Sequence, residues 1–206
     1  PRRKDKIFKV SLKHSLPLSL PDLLIMKTAN CVALLLLLLA STVRADEWEK
    51  LTEDKGNFTV KVPGKPKKLT QTVDTEVGKI EAIYYLVELK EGQVVYAVAF
   101  NDYPKEFATK SDDEKQGILD GVRDGNIKPH KGKVTTETKI KLDGHPGREY
   151  TFTGKLGGDG EPITGNVRLY LVGERLYQLI ILAGDKTPAE KEDIGRFFFS
   201  FDRTKK

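Results

Sequence analysis

Cysteine is almost absent from this chain: of 206 residues only Cys31 carries a thiol, and it heads an apolar run near the N-terminus. If that run is lost on export, the remaining chain has no disulfide, no thiol nucleophile and no cysteine-based metal site. Histidine is scarce too. Only His130 and His145 follow the apolar run, with no His-x-x-x-His spacing and no acidic loop of EF-hand type. The nucleophile elbow Gly-x-Ser-x-Gly is missing. Gly154-Lys155 continues to Leu156 rather than to serine or threonine, so Gly154 to Gly160 reads as a flexible hairpin tip and not as a phosphate loop. Long hydrophobic runs are lacking as well: Cys31 to Ala40 spans 10 residues, against the roughly 20 a membrane-spanning helix needs. These gaps remove the usual signatures of metal, acyl-transfer and nucleotide chemistry, and no cofactor or metal is expected.

What is present begins with a leader. Met26 and Lys27, the apolar run, and Ser41-Thr42-Val43-Arg44-Ala45 have the n-region, h-region and small-residue cleavage layout of a secretory signal peptide. Residues 26–45 are therefore expected to be removed after Ala45, residues 1–25 to be a spurious upstream extension, and 46–206 to form one globular domain that is secreted or periplasmic. Charge follows the same division. Taking the eight bases and two acids before residue 46 from totals of 35 and 30 leaves 27 bases and 28 acids, a net charge of −1 against +5 for the whole chain. The basic balance belongs to the leader, so it gives no ground for a nucleic-acid partner.

The expected domain is organised around Ile163 to Ala183. Two runs rich in Val, Ile, Leu and Tyr flank Gly173-Glu174, where glycine supplies the positive φ of a tight hairpin. Both strands are apolar on both faces, which places them inside a sheet covered above and below. Leu69 to Tyr103 reads as a three-stranded meander of the same kind. Phe58 to Val62 is a further strand, after a polar stretch that follows Trp48. Val134 to Leu142 alternates Val134, Thr136, Thr138, Ile140 and Leu142 against Thr135, Glu137, Lys139 and Lys141, as an edge strand with one wet face does. Ser111 and Glu114 form a capping box for a helix carrying Ile118, Leu119 and Val122. Thr187-Pro188-Ala189-Glu190 reads as a second capping box, opening a helix whose Phe197, Phe198, Phe199 and Phe201 cover the other sheet face. The fold class is α+β: an antiparallel sheet of about seven to eight strands flanked by helices on both faces.

Several of these segments together resemble a known family. Trp48, then Phe58-Thr59-Val60-Lys61-Val62-Pro63-Gly64, Leu142-Asp143-Gly144-His145-Pro146-Gly147-Arg148, Arg175-Leu176-Tyr177-Gln178-Leu179 and a terminal helix closing at Ser200-Phe201 resemble small secreted bacterial proteins of the PsbP-like α/β/α sandwich type. PsbP is an extrinsic accessory subunit of photosystem II. The resemblance covers nearly all of the expected mature chain through strand and turn positions. It implies a fold, and it carries over no catalytic residue and no photosynthetic role.

Asp143, His145 and Arg148 place an acid, an imidazole and a guanidinium on one chain reversal, the strongest local candidate for ligand or partner contact. Turn geometry alone also explains Asp143, Gly144 and Pro146. His130 lies in a basic loop. Tyr84, Tyr85, Tyr96, Tyr170 and Tyr177 fit either a ligand cavity or core packing. The expected function is an exported, monomeric, non-enzymatic binding or accessory domain for a protein or small-molecule partner. The alternatives are a small hydrolase using Asp143 and His145, or a carrier of an apolar ligand.

Overall fold

The computed structural model describes residues 47–75 and 77–204. The expected leader, the upstream extension and Cys31 lie outside the described residues. Ten strands and two α-helices follow in the order β1 (Trp48–Glu53), β2 (Phe58–Pro63), β3 (Lys67–Thr75), β4 (Gly78–Leu89), β5 (Val94–Asp102), α1 (Asp112–Ile127), β6 (Lys133–Leu142), β7 (His145–Lys155), β8 (Pro162–Val172), β9 (Arg175–Gly184), α2 (Lys191–Phe199) and β10 (Asp202–Arg203). Seven strands form one antiparallel sheet, ordered β3-β4-β5-β9-β8-β7-β6. The two-sided hydrophobicity of Ile163 to Ala183 is thereby explained: β9 is the central strand, with β5 on one side and β8 on the other, and Gly173 turns the hairpin with φ 60°.

One face of this sheet is covered differently from the expectation of a helix alone. A second, three-stranded sheet, ordered β1-β2-β10, lies over it together with α2. Phe58, Val60 and Val62 of β2, Phe197 and Phe198 of α2, and Phe201 are packed on Tyr85, Tyr96, Val98, Tyr177, Leu179 and Ile181. Each fully buried phenylalanine contributes roughly 1.5–3 kcal/mol relative to leaving it exposed. Phe58 to Val62 thus belongs to the small sheet rather than the main one. The polar stretch after Trp48 is itself a strand, because Trp48 stands edge-on to Tyr96 at 5.9 Å and the carboxylate of Glu53 accepts a buried hydrogen bond from the Tyr85 hydroxyl. Two anchors of this sort replace the apolar alternation that would have revealed it.

Helix α2 starts at Lys191, later than the apparent second capping box, with Glu190 at its N-cap and no side-chain cap bond. Thr187 is used elsewhere: its amide donates to the Gly184 carbonyl at 2.9 Å and its hydroxyl to the Gln93 side chain, closing the turn after β9. The phenylalanines at its end also divide. Phe197, Phe198 and Phe201 are buried, whereas Phe199 is 79% exposed.

Helix α1 covers the opposite face. Its capping box is complete: the Ser111 hydroxyl accepts from the Glu114 amide at 3.3 Å, and the Glu114 carboxylate accepts from the Ser111 amide at 2.8 Å. Leu119 is fully buried among Tyr150, Phe152, Val167 and Leu169, so α1 lies over β7 and β8. The β3–β5 half of this face is not sealed in the same way. Leu69 is 45% exposed, and Tyr84, Leu86 and Val95 are only half-buried.

The clean alternation read along Val134 to Leu142 is broken by a β-bulge. Pairing with β7 slips between Val134 and Thr136, so Val134 opposes Phe152 while Glu137 opposes Tyr150. One extra residue reverses every later side chain. Val134 packs with the α1 cluster and Ile140 and Leu142 with the opposite one, while Glu137 is brought onto the α1 face.

Candidate functional site

Asp143 and Gly144 alone make the reversal between β6 and β7, with Leu142 paired to His145. Both have positive φ, 49° and 83°, the requirement of a two-residue type I′ turn. Arg203 of β10 donates from Nη1 to the Asp143 carboxylate at 3.1 Å. His145 is half-buried. Burial, reinforced by the charges of Arg203 and Lys115, lowers its pKa against the opposing pull of Asp143 and Asp112. Asp143 is thus paired with a cation from another strand rather than orienting the ring beside it.

Arg148 does not join this tip. Side chains alternate along a strand, so residues three apart point to opposite faces, and Arg148 is directed beneath α1. There it is 5% exposed and donates to Asp120 and Glu137 from Nη1 and to Gln116 Oε1 from Nη2 at 2.7 Å. Arg123 reaches the same Glu137 at 2.7 Å and Asp120 at 3.1 Å. Burial pushes the Glu137 carboxyl up, but hydrogen bonds from Arg148 and Arg123 and their charges outweigh it and hold its pKa below the ordinary value. Further along, Asn126 donates to the Tyr150 hydroxyl at 3.2 Å and to Gln178 Oε1 at 3.0 Å. These polar contacts fix α1 on the sheet. The bulge at Thr135 is what delivers Glu137 to them.

The remaining candidates are structural in position. His130 stacks on Phe152 at 5.9 Å, and its Nδ1 lies 3.3 Å from the Lys155 carbonyl, tying the turn after α1 to the end of β7. Tyr85, Tyr96, Tyr170 and Tyr177 are buried in one core, where Tyr96 meets Phe197, Tyr170 meets Phe201 and Tyr177 meets Phe58. Tyr84 sits on the other face. Among the described residues no three His, Cys, Asp or Glu side chains gather into a metal-ligand set.

A cleft beside the β6–β7 tip was not foreseen from the sequence. It encloses about 480 Å³ and is lined by Arg175, Asp102, Glu174, Tyr177, Arg203 and Asn57, among others. Arg175 donates from Nε and Nη2 to the two oxygens of Asp102 at 2.6 and 2.7 Å, and from Nη1 to the Lys55 carbonyl at 2.8 Å. This fork raises the Arg175 pKa, so its charge is fixed. Its guanidinium also lies 5.3 Å from the Phe100 ring centroid. Tyr177 donates to the Gly56 carbonyl at 2.8 Å, holding the β1–β2 turn as one wall. Arg203 connects the cleft to Asp143 through their ion pair, although none of Asp143, His145 and Arg148 is among its lining residues. The Arg175–Asp102 pair spans 73 positions and exists only because β5 and β9 are neighbours; no local motif announces it.

No protein-family model matches the chain, and no curated protein sequence does. Solved structures do. The chain is similar to the solution structure of cyanobacterial PsbP (CyanoP) from Synechocystis sp. PCC 6803, with 12% identity over 79% of this chain and 95% of that one and a TM-score of 0.45. It is also similar to a 1.50 Å crystal structure from Bacteroides thetaiotaomicron VPI-5482, with 8% identity, 77% of this chain covered and a TM-score of 0.46. This chain spans 49% of the latter protein's length.

Proposed function

We propose that the chain is an exported, monomeric, non-enzymatic binding domain whose contact surface is the cleft between Arg175 and Arg203 with the adjoining β6–β7 tip. The observation that carries this reading is the pairing of Asp143 with Arg203 at 3.1 Å. Hydrolysis through His145 would need a carboxylate that orients the ring and holds its charged form. Asp143 instead neutralises a cleft arginine, and cations near His145 oppose its protonation. Carriage of an apolar ligand would need space among the tyrosines, whose rings pack on phenylalanines. A cleft walled by guanidinium groups that carboxylates hold in fixed positions suits recognition of a polar ligand or of a polar loop on a partner protein.

Two measurements test the reading. Wild-type protein and His145→Ala are assayed on chromogenic esters, phosphoesters and glycosides; the expectation is no turnover above buffer for either, and an activity lost in His145→Ala would overturn it. The tagged chain is then used to capture partners from its native extracytoplasmic fraction, alongside Arg203→Glu. A partner captured by the wild type and lost by the variant supports the cleft, and equal capture by both sinks it.

A further inference from the structure

On the far side of the small sheet from the main core, a second groove of about 440 Å³ runs between β2 and the end of α2. Its lining includes Lys50, Lys61, Arg196, Phe199 and Asp202. Lys50 and Lys61 are direct cross-strand partners in the β1–β2 register, and both are exposed. Like charges placed directly opposite on a sheet repel and cost stability. Among the described residues neither lysine reaches a carboxylate, although other cations near this sheet do: Lys55 pairs with Glu81, Lys68 with Glu53 and Arg203 with Asp143.

Phe199 is the second unusual feature of the same groove. It is 79% exposed in the last turn of α2, with the Arg168 guanidinium 4.6 Å from its ring centroid and Arg168 itself bonded to Glu149. Arg196 is positioned likewise, 5.1 Å from the Trp48 ring and 3.3 Å from Glu192. The groove therefore presents an exposed aromatic surface beside three cations, with Asp202 as its acid.

We propose that this groove binds an acidic peptide segment of a partner protein, with carboxylates answering Lys50 and Lys61 and an apolar side chain covering Phe199. Charge complementarity selects the sign of the occupant: the lining carries three positive groups and one negative. The apolar element excludes a simple inorganic anion, which would leave Phe199 uncovered. A bilayer fits less well, since the surface is concave, offers one aromatic side chain and would press Asp202 against anionic headgroups. The proposal is independent of the Arg175–Arg203 cleft, which is formed by other residues.

The test uses the full chain and a fluorescein-labelled peptide of alternating glutamate and phenylalanine, followed by anisotropy and by the emission of Trp48, the only tryptophan, which lies under Arg196. The expected result is saturable binding that shifts Trp48 emission and weakens several-fold between 50 and 300 mM salt. A polyglutamate peptide is expected to bind about tenfold more weakly than the mixed peptide, in line with the apolar burial it forgoes. Lys50→Glu supplies the decisive readout. It turns a repulsive cross-strand pair into an attractive one, so it should melt no lower than wild type while binding at least roughly tenfold more weakly. Phe199→Ala should weaken binding without lowering the melting temperature. Equal binding by Lys50→Glu, preference for a lysine–phenylalanine peptide, or preference for phosphatidylglycerol vesicles over the acidic peptide would each overturn the proposal.

Discussion

Gly165 of β8 stands directly opposite Phe152 of β7, and the Phe152 ring lies across it. A Cβ built on Gly165 would be 2.0 Å from Phe152 Cε1 and 2.5 Å from Cζ. Gly165→Ala therefore cannot be accommodated without moving the ring. The ring is 1% exposed, with Tyr150 at 6.3 Å and His130 at 5.9 Å, and has no open side to move toward. Replacing glycine by alanine where the backbone permits it stabilises by about 0.4–1 kcal/mol through the unfolded chain. Overpacking a tight core costs about 1–3 kcal/mol. The net expectation is a loss of roughly 1–2 kcal/mol, which lowers the melting temperature by about 2–8 °C in a domain of this size. The diagnostic is the double-mutant cycle. Phe152→Leu alone should destabilise by about 1–2 kcal/mol. In that background Gly165→Ala should be neutral or stabilising, a coupling of roughly 1–3 kcal/mol. Urea denaturation of the four proteins measures it. Strict additivity, or a Gly165→Ala protein as stable as wild type, would refute the steric account.

Two other expectations concern α1. Ser111→Ala removes the hydroxyl of a complete capping box and should cost about 1 kcal/mol, seen as a lower urea midpoint with an unchanged slope. Glu137 has a lowered pKa in the folded state, so its contribution is present above the unfolded value and is lost as pH falls through the folded one. Wild-type stability should accordingly fall more steeply below about pH 4.3 than that of Glu137→Gln, and parallel pH profiles of melting temperature would contradict the assignment.

Much of the main sheet is legible in the sequence, for a physical reason. Strands β4, β5, β8 and β9 are apolar on both sides, and only an interior strand covered twice tolerates that. The Ser111 cap was equally readable, because both of its bonds are local. What escaped depended on contacts distant in the chain. β1 is held by a ring on Tyr96 and a carboxylate on Tyr85. Thr187 mimicked an N-cap until Gln93 came beside it. The bulge at Thr135 left a pattern that still looked like perfect alternation, and so concealed Glu137 as a partner of Arg148. Asp143, His145 and Arg148 are close in sequence, yet the pleat separates the third from the other two, while Arg175 and Asp102 form the firmer polar pair from opposite halves of the chain.

The strand order also bears on how the molecule assembles. β3-β4-β5 and β6-β7-β8-β9 are two successive meanders whose internal pairings each join neighbours in sequence. A single seam, β5 against β9, unites them, and at Asp102 and Arg175 it closes a 73-residue span. Within the main sheet the loop-closure entropy falls on that seam, and the small sheet adds a longer closure where Asp202 of β10 meets Thr59 of β2. Every other pairing of the main sheet is set by a turn between neighbours in sequence, so the register of one half against the other rests on this seam alone, where Val98 meets Leu179 and both are fully buried.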